Sequence, residues 1–226
     1  MRELSRRKSG DGVVSSERSP LAARLDRNGN ADILAAAAEC FMEQGYHAAG
    51  IDDVARRLGC TKGRIYHYYR SKTELFFDVH REGMRRNFDA VMPVMKGPEP
   101  AARRLRAMFL RHALSMMENL AFEAVVVQGV QMHRLGATTP DQRRALAELM
   151  TIRNDFEALF KRVAYEGVED GSIRTGDVSV AVKVALGAIN WLSIWYRPRP
   201  GETHEDRLIL AEKIVGTIMT GLEVPG

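Results

Sequence analysis

Cysteine is scarce in this 226-residue chain, which has two, Cys40 and Cys60. They form no CxxC pair, and no Cys/His cluster carries the spacing of a zinc site. A disulfide framework and a structural metal are thereby excluded, and two small thiols in a reducing compartment are the expectation. Catalytic signatures are missing too: there is no phosphate-binding glycine loop, no HExxH and no nucleophile elbow. Asp52 and Asp53 do not make a catalytic pair, because neighbours on a helix diverge by about 100°. Two acids at a helix N-terminus explain them better. No enzyme and no cofactor is expected. The N-terminal residues Met-Arg-Glu-Leu-Ser-Arg-Arg-Lys are followed by no apolar run, so a signal peptide is not expected either.

A single-sign charge field is also lacking. The net charge is +4, with seven Lys/Arg against four Asp/Glu in residues 1–27 and six against six in residues 28–75. Any affinity for a polyanion must then come from a few well-placed cations. No segment alternates apolar and polar residues as a strand would, and no internal repeat is visible.

What the chain does have is helical periodicity, with 45% hydrophobic residues to build a core. Residues 1–27 carry no sustained apolar period and are expected to be a disordered basic arm. Behind it, Asn30 is a candidate N-cap for a helix that Gly45 stops. Short helices follow over 51–58 and from Lys62 to about Tyr68, with Thr61 capping the latter. Ser71, with Glu74 three residues on, forms a capping box for a long helix that ends before Pro93. Five more helices follow, from Pro100 to about Asn119, Ala121 to Arg134, Asp141 to Gly167, Asp177 to Tyr196 and His204 to Leu222. The expected fold is all-α, with about nine helices. Residues 28–75 group as a short three-helix domain and residues 76–226 as a larger helical domain. The apolar stretch Val178–Tyr196 contains Lys183, which would cost about 2.5–3.5 kcal/mol in a bilayer. It reads as a helix at a protein interface in a cytoplasmic protein, not as a membrane span.

The segment Ile51–Leu75, IDDVARRLGCTKGRIYHYYRSKTEL, carries the function. Its two short helices are separated by Gly59-Cys60-Thr61, the spacing of a helix-turn-helix. The first buries Val54, Ala55 and Leu58. The second offers its N-terminal residues to the major groove of double-stranded DNA. Thr61 and Gly63 let backbone N–H groups approach a phosphate at the positive helix end. Lys62 and Arg64 can reach base edges or phosphates. Tyr66, His67 and Tyr68 offer phosphate donors, and Lys72 joins them; such contacts set register without reading sequence.

From Ile33 to Leu75 the chain resembles the DNA-binding domain of the tetracycline-repressor (TetR) family. The shared positions are Ile33-Leu34, Ala36-Ala37, Phe41, Gly45-Tyr46, Asp53-Val54-Ala55, Leu58-Gly59, Lys62-Gly63, Ile65-Tyr66, Tyr68-Tyr69, Ser71-Lys72 and Glu74-Leu75. Two positions depart from the pattern. Ala49-Gly50 stands where a Thr or Ser usually precedes the second helix, and Cys60 stands at a small apolar turn position. The resemblance implies that Lys62, Gly63, Tyr66, Tyr68 and Lys72 hold the DNA backbone, that Arg64 is the leading base reader, and that Tyr69 is core.

The resemblance further implies a homodimer, formed through the last two long helices, that binds an inverted-repeat operator. Ala181, Ala185, Ala188, Trp195, Ile214 and Ile218 are the candidate interface residues. It also implies a small-molecule pocket, for which Met92, Met108, Met116, Phe122, Met132, Phe160 and Trp191 are candidates. The segment Asn190-Trp-Leu-Ser-Ile-Trp-Tyr-Arg-Pro198 resembles one in members that respond to CoA thioesters or hydrophobic catabolites. Arg103, Arg104, Arg111 and Arg197 are cations available to CoA phosphates. The expected mechanism is a repressor released from its operator when ligand shifts the dimer population, with the long fourth helix as lever. A transcriptional activator, or a helical protein-interaction module, is the alternative.

Overall fold

The computed structural model describes residues 20–136 and 139–222. Residues 1–19 of the expected arm lie outside them. Among the described residues the chain is helical: α1 (Pro20–Ala48), α2 (Ile51–Arg57), α3 (Lys62–Tyr68), α4 (Lys72–Val91), α5 (Ala101–Glu118), α6 (Leu120–Leu135), α7 (Pro140–Glu169), α8 (Val178–Asn190), α9 (Leu192–Trp195) and α10 (His204–Thr220). The helix expected over 177–196 is divided at Trp191 into α8 and α9, where the Ser193 hydroxyl donates to the Asn190 carbonyl at 2.7 Å.

Two of the three expected caps differ in the structure. Asn30 lies inside α1, and its side-chain oxygen accepts from the Tyr69 hydroxyl instead of capping. Thr61 holds the N-cap position of α3 with extended backbone but makes no side-chain cap bond. Ser71 does cap α4, accepting from Glu74 N at 3.1 Å. The returning Glu74 carboxylate takes Arg70 N at 2.8 Å, one residue before the cap. At Gly45 the backbone reaches φ 77, a left-handed conformation only glycine adopts cheaply, and α1 kinks there.

Two apolar clusters form the interior. One gathers Ile33, Ala37, Phe41, Val54, Ile65, Tyr69, Leu75 and Phe76 from α1–α4, with Phe122, Val125, Leu146 and Leu149 from α6 and α7. The other is built on α5, α7, α8 and α10 around Leu105, Met108, Phe109, Phe160 and Val215. Helix α4 runs from the first into the second, contributing Phe76 to one and Met84 and Val91 to the other. Where α4 crosses α6 the backbones nearly touch. A Cβ on Gly129 would lie 2.5 Å from His80 Cδ2, and one on Gly83 would lie 3.0 Å from Val126 Cγ2.

Candidate nucleic-acid interface and ligand cavity

Helix α3 is anchored by one residue. Ile65 is fully buried, and Tyr69 just beyond the helix is 2% exposed. Around that anchor Thr61, Lys62, Gly63, Arg64, Tyr66 and His67 are exposed and Tyr68 is half-buried. Two buried side chains thus fix the short helix while its remaining surface stays available. Burial pushes the Tyr69 hydroxyl well above the usual phenol range. The turn before α2 lacks the hydroxyl usual at that place and keeps the other half of a capping box: Gly50 N donates to Asp53 Oδ2 at 2.8 Å.

The cations differ in their partners. Lys62 Nζ sits 2.6 Å from Asp52 Oδ1, an exposed pair of little intrinsic worth that a phosphate can replace. Arg64 has no ion pair among the described residues. Lys72 is different, because in the DNA-free chain its ammonium is held by backbone carbonyls. Its ammonium donates to the carbonyls of Tyr46 at 2.8 Å, His47 at 3.1 Å and Ala49 at 3.0 Å, which uses all three donors. It closes the end of α1 against the start of α4.

The second domain encloses a cavity of about 230 Å³ between α4, α5, α6, α7 and α8. Its apolar wall includes Met84, Met116, Val126, Phe156 and Leu186. Its polar groups are Asn87, His112, Glu123, Arg153, Asn154, Glu157, Lys183 and Asn190. Ser115 Oγ donates to Asn87 Oδ1 at 2.9 Å, and Asn87 Nδ2 donates to Glu123 Oε1 at 2.8 Å. Burial pushes the Glu123 carboxyl up to about 8, so it is largely protonated at neutral pH. Burial pushes His112 down to about 4, and its Nε2 lies 3.0 Å from Asn190 Oδ1.

Of the seven expected pocket residues, Met116 alone lines this cavity. Met92 is 53% exposed in the 3-10 turn Met92–Val94, and Trp191 is 60% exposed. Met108 and Phe160 are buried in the second cluster, Phe122 packs under the Arg86 guanidinium at 4.0 Å, and Met132 rests against the first cluster. Apolar content was a poor guide because methionine fills core gaps as readily as it lines cavities. The polar lining was missed entirely. A signal existed: Asn87, His112 and Glu123 fall on core-facing positions of amphipathic helices. None of Arg103, Arg104, Arg111 and Arg197 lines the cavity; the guanidinium there is Arg153.

On the outer side of α8 and α9, Val180, Val184, Ala188, Trp191, Ile194 and Trp195 are exposed at near-helical spacing. Val178–Trp195 is long and apolar enough to cross a membrane by composition, and only 33% of it is buried within the chain. Of the expected interface residues, Ala188 and Trp195 lie on this face and the other four do not. Ala185 is 1% exposed and belongs to the second cluster, Ala181 is half-buried, and Ile214 and Ile218 pack against that same cluster.

Comparison with known proteins gives the following likenesses. Residues 33–79 match the family described as bacterial regulatory proteins, tetR family, and residues 98–222 match the tetracyclin repressor-like C-terminal domain. The chain is similar to the transcriptional repressor KstR2 of Rhodococcus jostii, 26% identical over 196 residues that cover 86% of this chain and 91% of that protein. It is similar in structure to the TetR-family regulator PfmR of Thermus thermophilus, with 28% identity, a TM-score of 0.71, and 85% and 99% of the two chains covered. A further likeness is to AibR in complex with isovaleryl coenzyme A and operator DNA, with 21% identity, a TM-score of 0.67, and 84% and 97% covered.

Proposed function

Because this chain belongs to the tetR family of bacterial regulatory proteins, we propose that it works as a cytoplasmic homodimer on an inverted-repeat operator and leaves it when an effector fills the cavity. The chain is a DNA-binding transcriptional regulator, not an enzyme. The observation that carries the DNA role is the exposed set Thr61, Lys62, Gly63, Arg64, Tyr66 and His67 mounted on the buried Ile65. Arg64 is the base reader, since arginine meets guanine through two parallel hydrogen bonds. Lys62, Tyr66 and the N–H groups at Gly63 hold phosphates. Residues 28–75 do this work and residues 76–226 carry the ligand and the partner subunit. Two modules are needed because one short helix reads too few bases, whereas two half-sites a helical turn or a multiple apart suffice.

The apolar stripe Val184, Ala188, Trp191 and Trp195 supports the dimer: aromatic and aliphatic surface of this extent is what a second copy covers in an obligate pair. Repression is the direction favoured by the likeness to KstR2, itself a repressor. For the effector, AibR holds isovaleryl coenzyme A, and the mixed apolar and polar wall here suits a CoA thioester's acyl part or a hydrophobic catabolite. Met84 and Asn87 line the cavity while Phe76 and Phe77, earlier on the same α4, belong to the first cluster. A ligand that shifts α4 therefore shifts the DNA-binding unit, to the extent that it binds the two arrangements differently.

Selection of bound duplexes from the source genome's fragments tests this, with Arg64→Ala run at the same salt. Recovery of an inverted repeat by the native protein is expected, with the variant recovering a repeat relaxed at one base pair per half-site. Folded native protein that recovers no sequence would overturn the reading.

A further inference from the structure

The charges around the cavity do not balance. Glu157 is occupied twice, by Lys161 Nζ at 2.5 Å and Lys183 Nζ at 2.7 Å. Glu123, the other carboxyl on the wall, is held in its neutral form by burial. Arg153 remains. Its guanidinium lines the cavity, burial works against its charge, and among the described residues it has neither an ion pair nor a hydrogen bond. A half-buried guanidinium without a protein acceptor keeps its five N–H donors available to a ligand. A second orphan lies on the same wall: His112 Nδ1 is buried and has no partner. A merely apolar packing void would leave no buried polar atom stranded; this one strands His112 Nδ1 beside an unpaired guanidinium.

We infer that the cavity takes a small carboxylic acid as its monoanion, with the carboxylate on Arg153 and the hydrocarbon body against Met84, Met116, Val126, Phe156 and Leu186. This rests on the reading of the cavity as the effector site and narrows the effector's chemistry. A planar guanidinium matches a carboxylate through two parallel N–H···O bonds, which a thioester or an amide does not offer. One acid is enough to answer Arg153, the cation on the wall that no carboxylate pairs with. Size is consistent: about 230 Å³ falls below the roughly 300–1,000 Å³ of sites for drug-sized ligands, so a short-chain or single-ring acid fills it.

Calorimetry on the full chain tests the inference with hexanoate and phenylacetate, their primary amides, and hexanoyl-CoA, each against native protein, Arg153→Gln and Arg153→Lys. At least one acid should bind native protein about ten-fold or more tighter than its amide, the worth of one charge-assisted contact. Arg153→Gln should erase that preference and Arg153→Lys keep part of it, with unfolding temperatures close to native. An amide that binds as well as its acid, an unaltered preference in Arg153→Gln, binding of the thioester alone, or binding of neither acid would each overturn it. Operator affinity measured without ligand keeps the two readings apart. Loss of operator binding in native protein would count against the regulator reading, whereas an acid that binds without releasing DNA would leave the carboxylate site standing and remove the release step.

Discussion

Lys72 holds Tyr46 in two ways: its Nζ donates to the Tyr46 carbonyl at 2.8 Å and stands 4.7 Å from the centre of the Tyr46 ring. The same ammonium serves the carbonyls of His47 and Ala49. These are carbonyls that the end of α1 leaves without helical partners. The residue therefore sets the angle between α1 and α4 before any phosphate arrives.

Lys72→Met is accordingly expected to lower unfolding stability by about 1–3 kcal/mol, the cost of stranding partly buried acceptors of a charged donor. Urea denaturation measures it. Native-like stability with weakened DNA binding would instead assign Lys72 to phosphate alone.

Arg64→Ala is expected to leave the fold intact, since Arg64 is exposed and ends in no ion pair among the described residues. Its effect should be confined to one base pair per half-site, with a loss of discrimination of about 1–3 kcal/mol there. Competition binding with single-base operator variants reads this directly. A uniform loss over all duplexes would make Arg64 a phosphate contact.

The helical course was legible in the sequence because apolar spacing, Gly45, Ser71 and Pro93 each act within a few residues. The recognition unit was legible for the same reason. Where a side chain ends up in three dimensions was not. Lys72 and Asn30 look like surface and cap residues locally, yet their partners, Tyr46 and Tyr69, lie 26 and 39 positions away in the chain. The cavity's polar wall was hidden for the same reason: a list of apolar residues cannot say which of five converging helices leaves a gap. Ala185 was assigned outward because small residues suit close packing, and the cluster it joins suits them equally.

Gly129→Ala tests the contact between α4 and α6. A Cβ there would fall 2.5 Å from His80 Cδ2, and His80 is fully buried. The ring has no room to yield, so the substitution should cost about 1–3 kcal/mol as overpacking. Thermal unfolding of the variant checks it, and an unchanged midpoint would mean that the two helices separate easily.

Stability should peak near pH 6.5. Burial foremost, with the Arg153 charge adding to it, holds His80 at about 3 and His112 at about 4, against an ordinary 6.5. Between those values and 6.5 the unfolded chain binds more protons, so stability rises with pH. Glu123 has the opposite sign: with a folded value near 8 against 4.5, the native state keeps the extra proton and stability falls as pH climbs through that span. Below 6.5 the two histidines outweigh the one carboxyl; above it the carboxyl acts alone, by at most about 1.4 kcal/mol per pH unit. Glu123→Gln should flatten the decline between pH 6.5 and 8 in urea unfolding. An identical decline in the variant would remove Glu123 as its cause.

The most direct measurement of the central claim is equilibrium binding of the native chain to one recovered operator and to the same duplex with a single half-site scrambled, at fixed salt. A dimer that reads both half-sites predicts a loss of about 100-fold or more on scrambling one, given about 1–3 kcal/mol for each mismatched base pair. Equal affinity for the two duplexes would contradict it, leaving a chain that binds DNA as a single unspecific module.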